Sequence, residues 1–188
     1  MNKQNGIREV LRNNPIVPVV NISNPNEVKN IIDNLISKNI SCIEITLRNE
    51  SAFDCIDAAI KQKPDGFSVG AGTITNPDQL YKCETLNVDF VVSPGFSNAL
   101  ADAFNRCSTP FLPGVMTPSE IIQAKAYGWN TLKLFPANLA GGIEALNTYK
   151  NVFSVIQFCP TGGLNETNYT KFLELENVIC VGGSWIMK

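Results

Sequence analysis

The sequence predicts an α/β fold: a single (β/α)8 barrel of the TIM type over residues 1–188, with an extra N-terminal helix and a missing or truncated eighth outer helix. Three observations carry this expectation. Short β-branched runs begin near Ile16, Ser41, Phe67, Asp89, Pro110, Thr131, Val155 and Val178, at intervals of 21 to 26 residues by subtraction. Each run is followed by a turn and a stretch with helical apolar spacing, as repeated parallel βα units require. Polar residues stand inside several runs, where an open sheet would press them against helices and a barrel offers them a mouth.

The elements follow in order. Residues 2–13 read as the extra helix, and IVPVV from Ile16 is the first strand. Asn24-Pro25 opens a helix whose Val28, Ile31, Ile32, Leu35 and Ile36 share one face. SCIEITLR from Ser41 is the second strand and FSVGAGT from Phe67 the third. Asn76-Pro77 opens the next helix, and DFVVSP from Asp89 and PFLPGV from Pro110 are strands four and five. Thr117-Pro118 opens the helix carrying Ile121 and Ile122. Each Asn-Pro or Thr-Pro step pairs an N-cap residue with proline at the first helical position. TLKLFPA from Thr131, VIQFCPTGG from Val155 and VICVGGS from Val178 complete the set of strands. Ile186, Met187 and Lys188 are too short a remainder for an eighth outer helix.

Composition narrows the chemistry. The 188 residues are 44% hydrophobic and 17% charged, enough for a substantial core and too little charge for a disordered chain. A net charge of −2 argues against a nucleic-acid partner or a polybasic membrane surface. No apolar run reaches the roughly 18 residues of a membrane helix. The amino terminus lacks the apolar core of a signal peptide, so the cytoplasm is expected. Histidine is absent, which excludes Ser-His-Asp and Cys-His triads and HExxH zinc sites. The six cysteines are scattered without a CxxC pair and read as small buried hydrophobes. No metal is expected, and acid–base work falls to carboxylates, lysines, tyrosines or cysteines.

Alternation sorts the side chains. In Ser41–Arg48, Ile43, Ile45 and Leu47 point one way and Cys42, Glu44, Thr46 and Arg48 the other. In Thr131–Ala137, Leu132 and Leu134 face helices while Thr131, Lys133 and Phe135 face the axis. Three charges, on Glu44, Arg48 and Lys133, then share one interior. Lys133 and Glu44 could form a purely structural ion pair, with Arg48 ending its strand. That arrangement needs no second cation, and replacing a buried pair by hydrophobes is often neutral. The functional reading accounts for all three: a desolvated lysine beside another cation is partly neutral and attacks a ketone. The resulting iminium lets an adjacent carbon–carbon bond break, Glu44 shuttles protons, and the Arg48 fork holds a carboxylate. This describes an aldolase for 2-oxo acids.

Two glycine pairs, Gly162-Gly163 and Gly182-Gly183 with Ser184, end the last two strands. Barrels bind phosphate at this place through converging backbone N–H groups. Thr73 and Pro94, ending strands three and four, are expected to line the mouth beside Lys133. Other readings keep these turns without the lysine chemistry: a sugar-phosphate epimerase or isomerase, or a non-catalytic barrel that binds sugar phosphates.

Glu44-Ile-Thr-Leu-Arg48, Gly70-Ala-Gly-Thr73, Ser93-Pro-Gly95, Lys133-Leu-Phe-Pro-Ala137, Cys159-Pro-Thr-Gly-Gly163 and Gly182-Gly-Ser-Trp185 together resemble the bacterial 2-dehydro-3-deoxy-phosphogluconate aldolases. That family also includes 4-hydroxy-2-oxoglutarate aldolase activity. The resemblance implies a class I, metal-independent and cofactor-free lyase of the Entner–Doudoroff route, assembled as a homotrimer and acting on 2-oxo acids and sugar phosphates. It implies Lys133 as Schiff-base lysine and Glu44 as general acid/base. Arg48 and Thr73 are implied to hold the pyruvate carboxylate, and Pro94 and Phe135 to form pocket walls. Gly162, Gly163, Gly183 and Ser184 would clamp phosphate, with Thr161 beside them. Threonine at 161 is similar to the gluconate rather than the galactonate branch. Asn138 stands where the family often has glutamate, and the family's final helix after Gly182-Gly-Ser-Trp185 has no counterpart here.

Overall fold

Apolar runs and capped amphipathic stretches alternate along the chain in the computed structural model, which describes residues 3–187. The order is α1 (Lys3–Arg12), β1 (Ile16–Val20), α2 (Val28–Ser37), β2 (Cys42–Thr46), α3 (Ala52–Gln62), β3 (Ser68–Gly72), α4 (Pro77–Thr85), β4 (Phe90–Val92) and α5 (Asn98–Arg106). Then follow β5 (Phe111–Leu112), β6 (Gly114–Val115), α6 (Pro118–Ala126), β7 (Thr131–Leu134), α7 (Gly142–Val152), β8 (Gln157–Pro160), α8 (Tyr169–Leu173) and β9 (Val181–Gly183). Asn2 of the expected first helix and the terminal Lys188 lie outside the described residues.

The expected caps form. Asn76 Oδ1 accepts the Gln79 N–H at 3.0 Å, with Pro77 in the first turn of α4. Thr117 and Glu120 make a reciprocal capping box at the start of α6. Asn24 instead caps a single 3-10 turn, Pro25–Glu27, and α2 starts after it. Among the described residues no helix is long and apolar enough to cross a membrane.

All strand pairs are parallel. One sheet runs β5-β4-β3-β2-β1-β9 and the other β6-β7-β8. Parallel bridges Phe158↔Val178 and Thr161↔Gly182 connect β8 to the segment of β9. The result is an α/β fold on a curled parallel sheet. Three sequence expectations are corrected. The fifth strand breaks between Leu112 and Gly114, because Pro113 has no N–H to give a ladder. The second strand stops at Thr46 and the sixth at Leu134, so Arg48 and Phe135 lie beyond the ends of β2 and β7. Past β9 the chain makes a 3-10 turn, Trp185–Met187.

Alternation along each strand splits the apolar residues into two cores. Ile43, Ile45, Leu132 and Leu134, all fully buried, pack outward under the helices. Cys42, Phe90, Val92, Leu112, Cys159 and Cys180 pack inward on the concave face, together with Ile7 and Leu11 of α1. Burying those two side chains stabilises the docked helix by roughly 1.5–3 kcal/mol each. Polar contacts fix where α1 sits. Gln4 Oε1 accepts from the backbone N–H of Asn130 at 3.1 Å and of Thr131 at 2.8 Å. Arg8 donates to Thr131 Oγ1 at 2.7 Å and to the Asn130 carbonyl at 3.1 Å. The helix therefore stops the N-terminal end of the sheet, and the opposite end carries the loops that matter for chemistry.

Candidate active site

Lys133 sits in β7 between the outward-facing Leu132 and Leu134, which turns its side chain onto the concave face. Glu44 occupies the equivalent place in β2 between Ile43 and Ile45. Lys133 Nζ donates to Glu44 Oε1 at 3.3 Å, and the two residues are only 5% and 3% exposed. A charged pair this deep is retained only where geometry compensates its desolvation. Space for the carboxylate comes from β3, where Gly72 lies against it; a Cβ there would overlap Glu44 Oε1 and Cγ. The Phe135 ring centroid stands 5.3 Å from Lys133 Nζ.

The floor near the pair is built of thiols. Cys42, Cys159 and Cys180 are buried and free; burial pushes Cys42 and Cys180 well above the usual thiol range, whereas a hydrogen bond with Cys180 and the charge of Lys133 draw Cys159 below it. Such a floor keeps the local dielectric low and strengthens interactions between Lys133, Glu44 and a charged ligand. Among the described residues no group of three His, Cys, Asp or Glu side chains is placed to hold a metal ion.

Arg48, two residues beyond the end of β2, is exposed, and its Nε donates to Thr73 Oγ1 at 3.4 Å. Thr73 has φ of 65°, a left-handed backbone that β-branched residues rarely adopt. Strain of this kind is held where the surrounding structure demands it, often at a binding site. The sequence reading placed Arg48 in the interior as the cation that would neutralise Lys133. It is instead at the rim, since β2 stops pairing at Thr46. The group beside Lys133 is a carboxylate, an acceptor for the proton that the amine must lose.

Arg48, Phe135, Thr161, Gly162, Gly163, Gly183 and Ser184 line one cleft of about 320 Å³. Gly162 and Gly163 have φ of 98° and 78°, conformations in which glycine alone is unstrained. Gly163 is also closed to any side chain because Asn138 lies where its Cβ would be. Two backbone bonds lock this turn to the loop after β7: Ala137 N–H to the Thr161 carbonyl at 2.8 Å and Asn138 N–H to the Gly162 carbonyl at 3.1 Å. Gly183 is covered by the Trp185 ring in the same way.

Thr73 meets the cleft through Arg48. Pro94 does not line it; the residue is half-buried beyond β4 and lines a separate hollow of about 200 Å³ with Phe96 and Leu100. The turn after Val92 carries it there, because Gly114 packs directly on the Pro94 carbonyl. Sequence reasoning missed Val19, Asn21, Thr46 and Leu164, which also line the cleft. Thr46 was legible from alternation with Glu44. Asn21, directly after a strand, carries only the signal of a turn residue.

The sequence model of the KDPG and KHG aldolases, enzymes of 2-dehydro-3-deoxy-6-phosphogluconate and 4-hydroxy-2-oxoglutarate, matches residues 7–188. The KHG/KDPG aldolase of Escherichia coli strain K12 is 36% identical over 186 residues, covering 99% of this chain and 87% of that protein. The 2-dehydro-3-deoxy-phosphogluconate aldolase of Pseudoalteromonas atlantica is 38% identical over 179 residues, covering 95% and 83%. In structure, the chain superposes with a TM-score of 0.92 on the KDPG aldolase of Legionella pneumophila, solved with pyruvate captured as a covalent carbinolamine. That pair is 36% identical and covers 95% of this chain and 86% of the other. A lysine–glutamate pair under a glycine-lined cleft, on a sheet that superposes this closely, leaves one assignment: the chain belongs to the KDPG and KHG aldolase family.

Proposed function

We propose that Lys133 and Glu44 are the catalytic residues of this chain's class I aldolase reaction, the reversible cleavage of 2-dehydro-3-deoxy-6-phospho-D-gluconate to pyruvate and D-glyceraldehyde 3-phosphate. The observation that carries the assignment is the buried Lys133 Nζ–Glu44 Oε1 contact of 3.3 Å, two residues along the chain from Phe135 and Thr46, which line the cleft. Lys133 gives its proton to Glu44, and the free amine adds to the C2 ketone to form a carbinolamine. Glu44 returns that proton to the carbinolamine hydroxyl, whose departure as water yields an iminium that draws the electron pair of the C3–C4 bond toward nitrogen. Glu44 takes the C4 hydroxyl proton as that bond breaks and the aldehyde departs. Glu44 returns the proton it took to C3 of the remaining enamine, and water attacks the iminium to release pyruvate and restore Lys133.

The rim supplies binding. Arg48, steadied by Thr73, offers its guanidinium fork to the 2-oxo acid carboxylate. Gly162, Gly163, Gly183 and Ser184 form the phosphate clamp, with Thr161 and Phe135 lining the space between. Pro94 serves the site as backing for Gly114, the partner of Lys133 in the β6–β7 register. The Zymomonas mobilis relative solved with 3-phosphoglycerate, 34% identical over 95% of this chain and 85% of that one, with a TM-score of 0.90, supports the phosphate reading. The same lysine chemistry accepts 4-hydroxy-2-oxoglutarate, giving pyruvate and glyoxylate.

The bridges between β8 and β9 support a closed (β/α)8 barrel over the whole chain as one domain. Six reduced thiols fit a cytoplasmic enzyme. The family resemblance supports a homotrimer, and exposed Leu139, Val152 and Val155 offer such an assembly apolar surface to bury. Incubation with pyruvate and borohydride tests the reading: a stable adduct at Lys133 is expected, and an adduct elsewhere, or none, defeats it.

A further inference from the structure

Asn21 and Asn49 form a side-chain relay at the cleft that the aldolase steps do not use. The Ile22 carbonyl accepts from Asn49 Nδ2 at 3.0 Å. A carbonyl only accepts, so this contact fixes which end of the Asn49 amide is nitrogen. The same Nδ2 donates to Asn21 Oδ1 at 2.7 Å. Asn21 must therefore show its oxygen to Asn49, which leaves its own two N–H donors for the cleft it lines. Among the described residues, Asn49 Oδ1 is buried without a partner. Flipping that amide would set the oxygen against the Ile22 carbonyl, so the polarity of the relay is held despite the unpartnered atom.

Its height in the sheet says what the donor meets. The register Val19↔Glu44 and Val20↔Ile45 continues to place Asn21 opposite Thr46, about 7 Å nearer the mouth than the level of Glu44. Strand β1 lies between β9 and β2, and Asn21 shares the cleft with Ser184 past β9 and Arg48 past β2. A substrate bound to Lys133 extends past this level with the part that leaves as the aldehyde. We propose that Asn21 is a specificity-determining residue whose Nδ2 donates to an oxygen of the aldehyde half, a hydroxyl or a phosphate oxygen. Asn49 is the positioning residue that fixes its polarity. The proposal rests on the aldolase reading above.

The test runs in the condensation direction, with pyruvate and three aldehydes: D-glyceraldehyde 3-phosphate, D-glyceraldehyde and glyoxylate, which carries no hydroxyl. Specificity ratios within one preparation cancel any change in folded fraction. Asn21→Ala should lower kcat/KM for glyceraldehyde 3-phosphate about tenfold relative to glyoxylate. Asn21→Asp keeps the Asn49 bond, since a carboxylate accepts, yet loses the donor and should fall further. Asn49→Ala should raise KM for the aldehyde more than KM for pyruvate. A parallel fall with D-glyceraldehyde identifies a hydroxyl as the target, and a fall confined to the phosphorylated aldehyde identifies phosphate. A ratio within threefold of wild type in Asn21→Ala for both glyceraldehydes overturns the proposal. Wild-type protein that fails to trap pyruvate overturns the aldolase reading itself, a separate outcome.

Discussion

Gly72 of β3 lies so close to Glu44 that a methyl group in place of its hydrogen would stand 2.6 Å from Glu44 Cγ and closer still to Oε1. The carboxylate is placed from two sides, by the Lys133 ammonium and by the bare backbone of its neighbouring strand. Gly72→Ala should push Glu44 off Lys133 while the fold persists. Because a misplacement of about 1 Å costs on the order of 10²-fold, kcat should fall by about that factor. Unchanged kcat in a folded Gly72→Ala protein would show that the carboxylate position is not limiting.

Breaking the buried pair should separate activity from stability. Lys133→Met should remove turnover by more than roughly 10⁴-fold, and Glu44→Gln by roughly 10²–10⁴-fold. Lys133→Met also leaves an unpaired buried carboxylate, at a cost of about 3–5 kcal/mol. The double variant Lys133→Met with Glu44→Leu should recover most of that stability in urea denaturation and stay inactive. A double variant no more stable than Lys133→Met alone would contradict the account.

Thr73 predicts opposite effects on folding and binding. Its left-handed backbone costs a non-glycine residue roughly 1–2 kcal/mol, so Thr73→Gly should stabilise the protein by about 1 kcal/mol. The same change removes the oxygen that accepts from Arg48 Nε. KM for pyruvate in condensation should therefore rise by about threefold to tenfold. Thermal denaturation and steady-state kinetics on one preparation read both signs.

Acid should loosen α6. Burial raises the Glu120 pKa, but the N–H groups of Met116 and Thr117 and the Thr117 hydroxyl outweigh it and hold the carboxyl below the usual range. A folded value below the unfolded one stabilises the protein above the unfolded pKa of about 4.3, and that share is lost as pH falls through the folded value. The urea midpoint should drop as pH falls below about 5, less steeply in Glu120→Gln.

Much of the Lys133–Glu44 pair was legible because charge at alternate positions of an apolar strand has one destination, the face without helices. Lys133 and Glu44 obey that rule. Arg48 does not, because counting by twos cannot see where pairing ends. The β2–β3 ladder stops at Thr46↔Gly72, and Thr73 then turns left-handed. Pro113 hid a break inside an otherwise continuous apolar run. Asn21 was hidden for a different reason: its meaning lies in Asn49 and in a carbonyl of the next residue, contacts that only the folded chain creates. Residues 2–13 read as a helix in sequence, yet nothing there says that Ile7 and Leu11 pack in one cluster with the buried thiols.

That helix closes the end of the sheet opposite the cleft, and the covalent bond to Lys133 sets the order in which products depart. With Ile7 and Leu11 sealed against the floor and Arg8 tied to Thr131, a fragment attached to Lys133 shares its exit with whatever rests above it. The aldehyde leaves first and pyruvate queues behind it. Product inhibition should then show pyruvate competing with the cleavage substrate for free enzyme, and glyceraldehyde 3-phosphate giving a mixed pattern; two competitive patterns would exclude the queue. Run in reverse, the queue loads pyruvate first, so an incoming aldehyde meets a lysine that is already occupied.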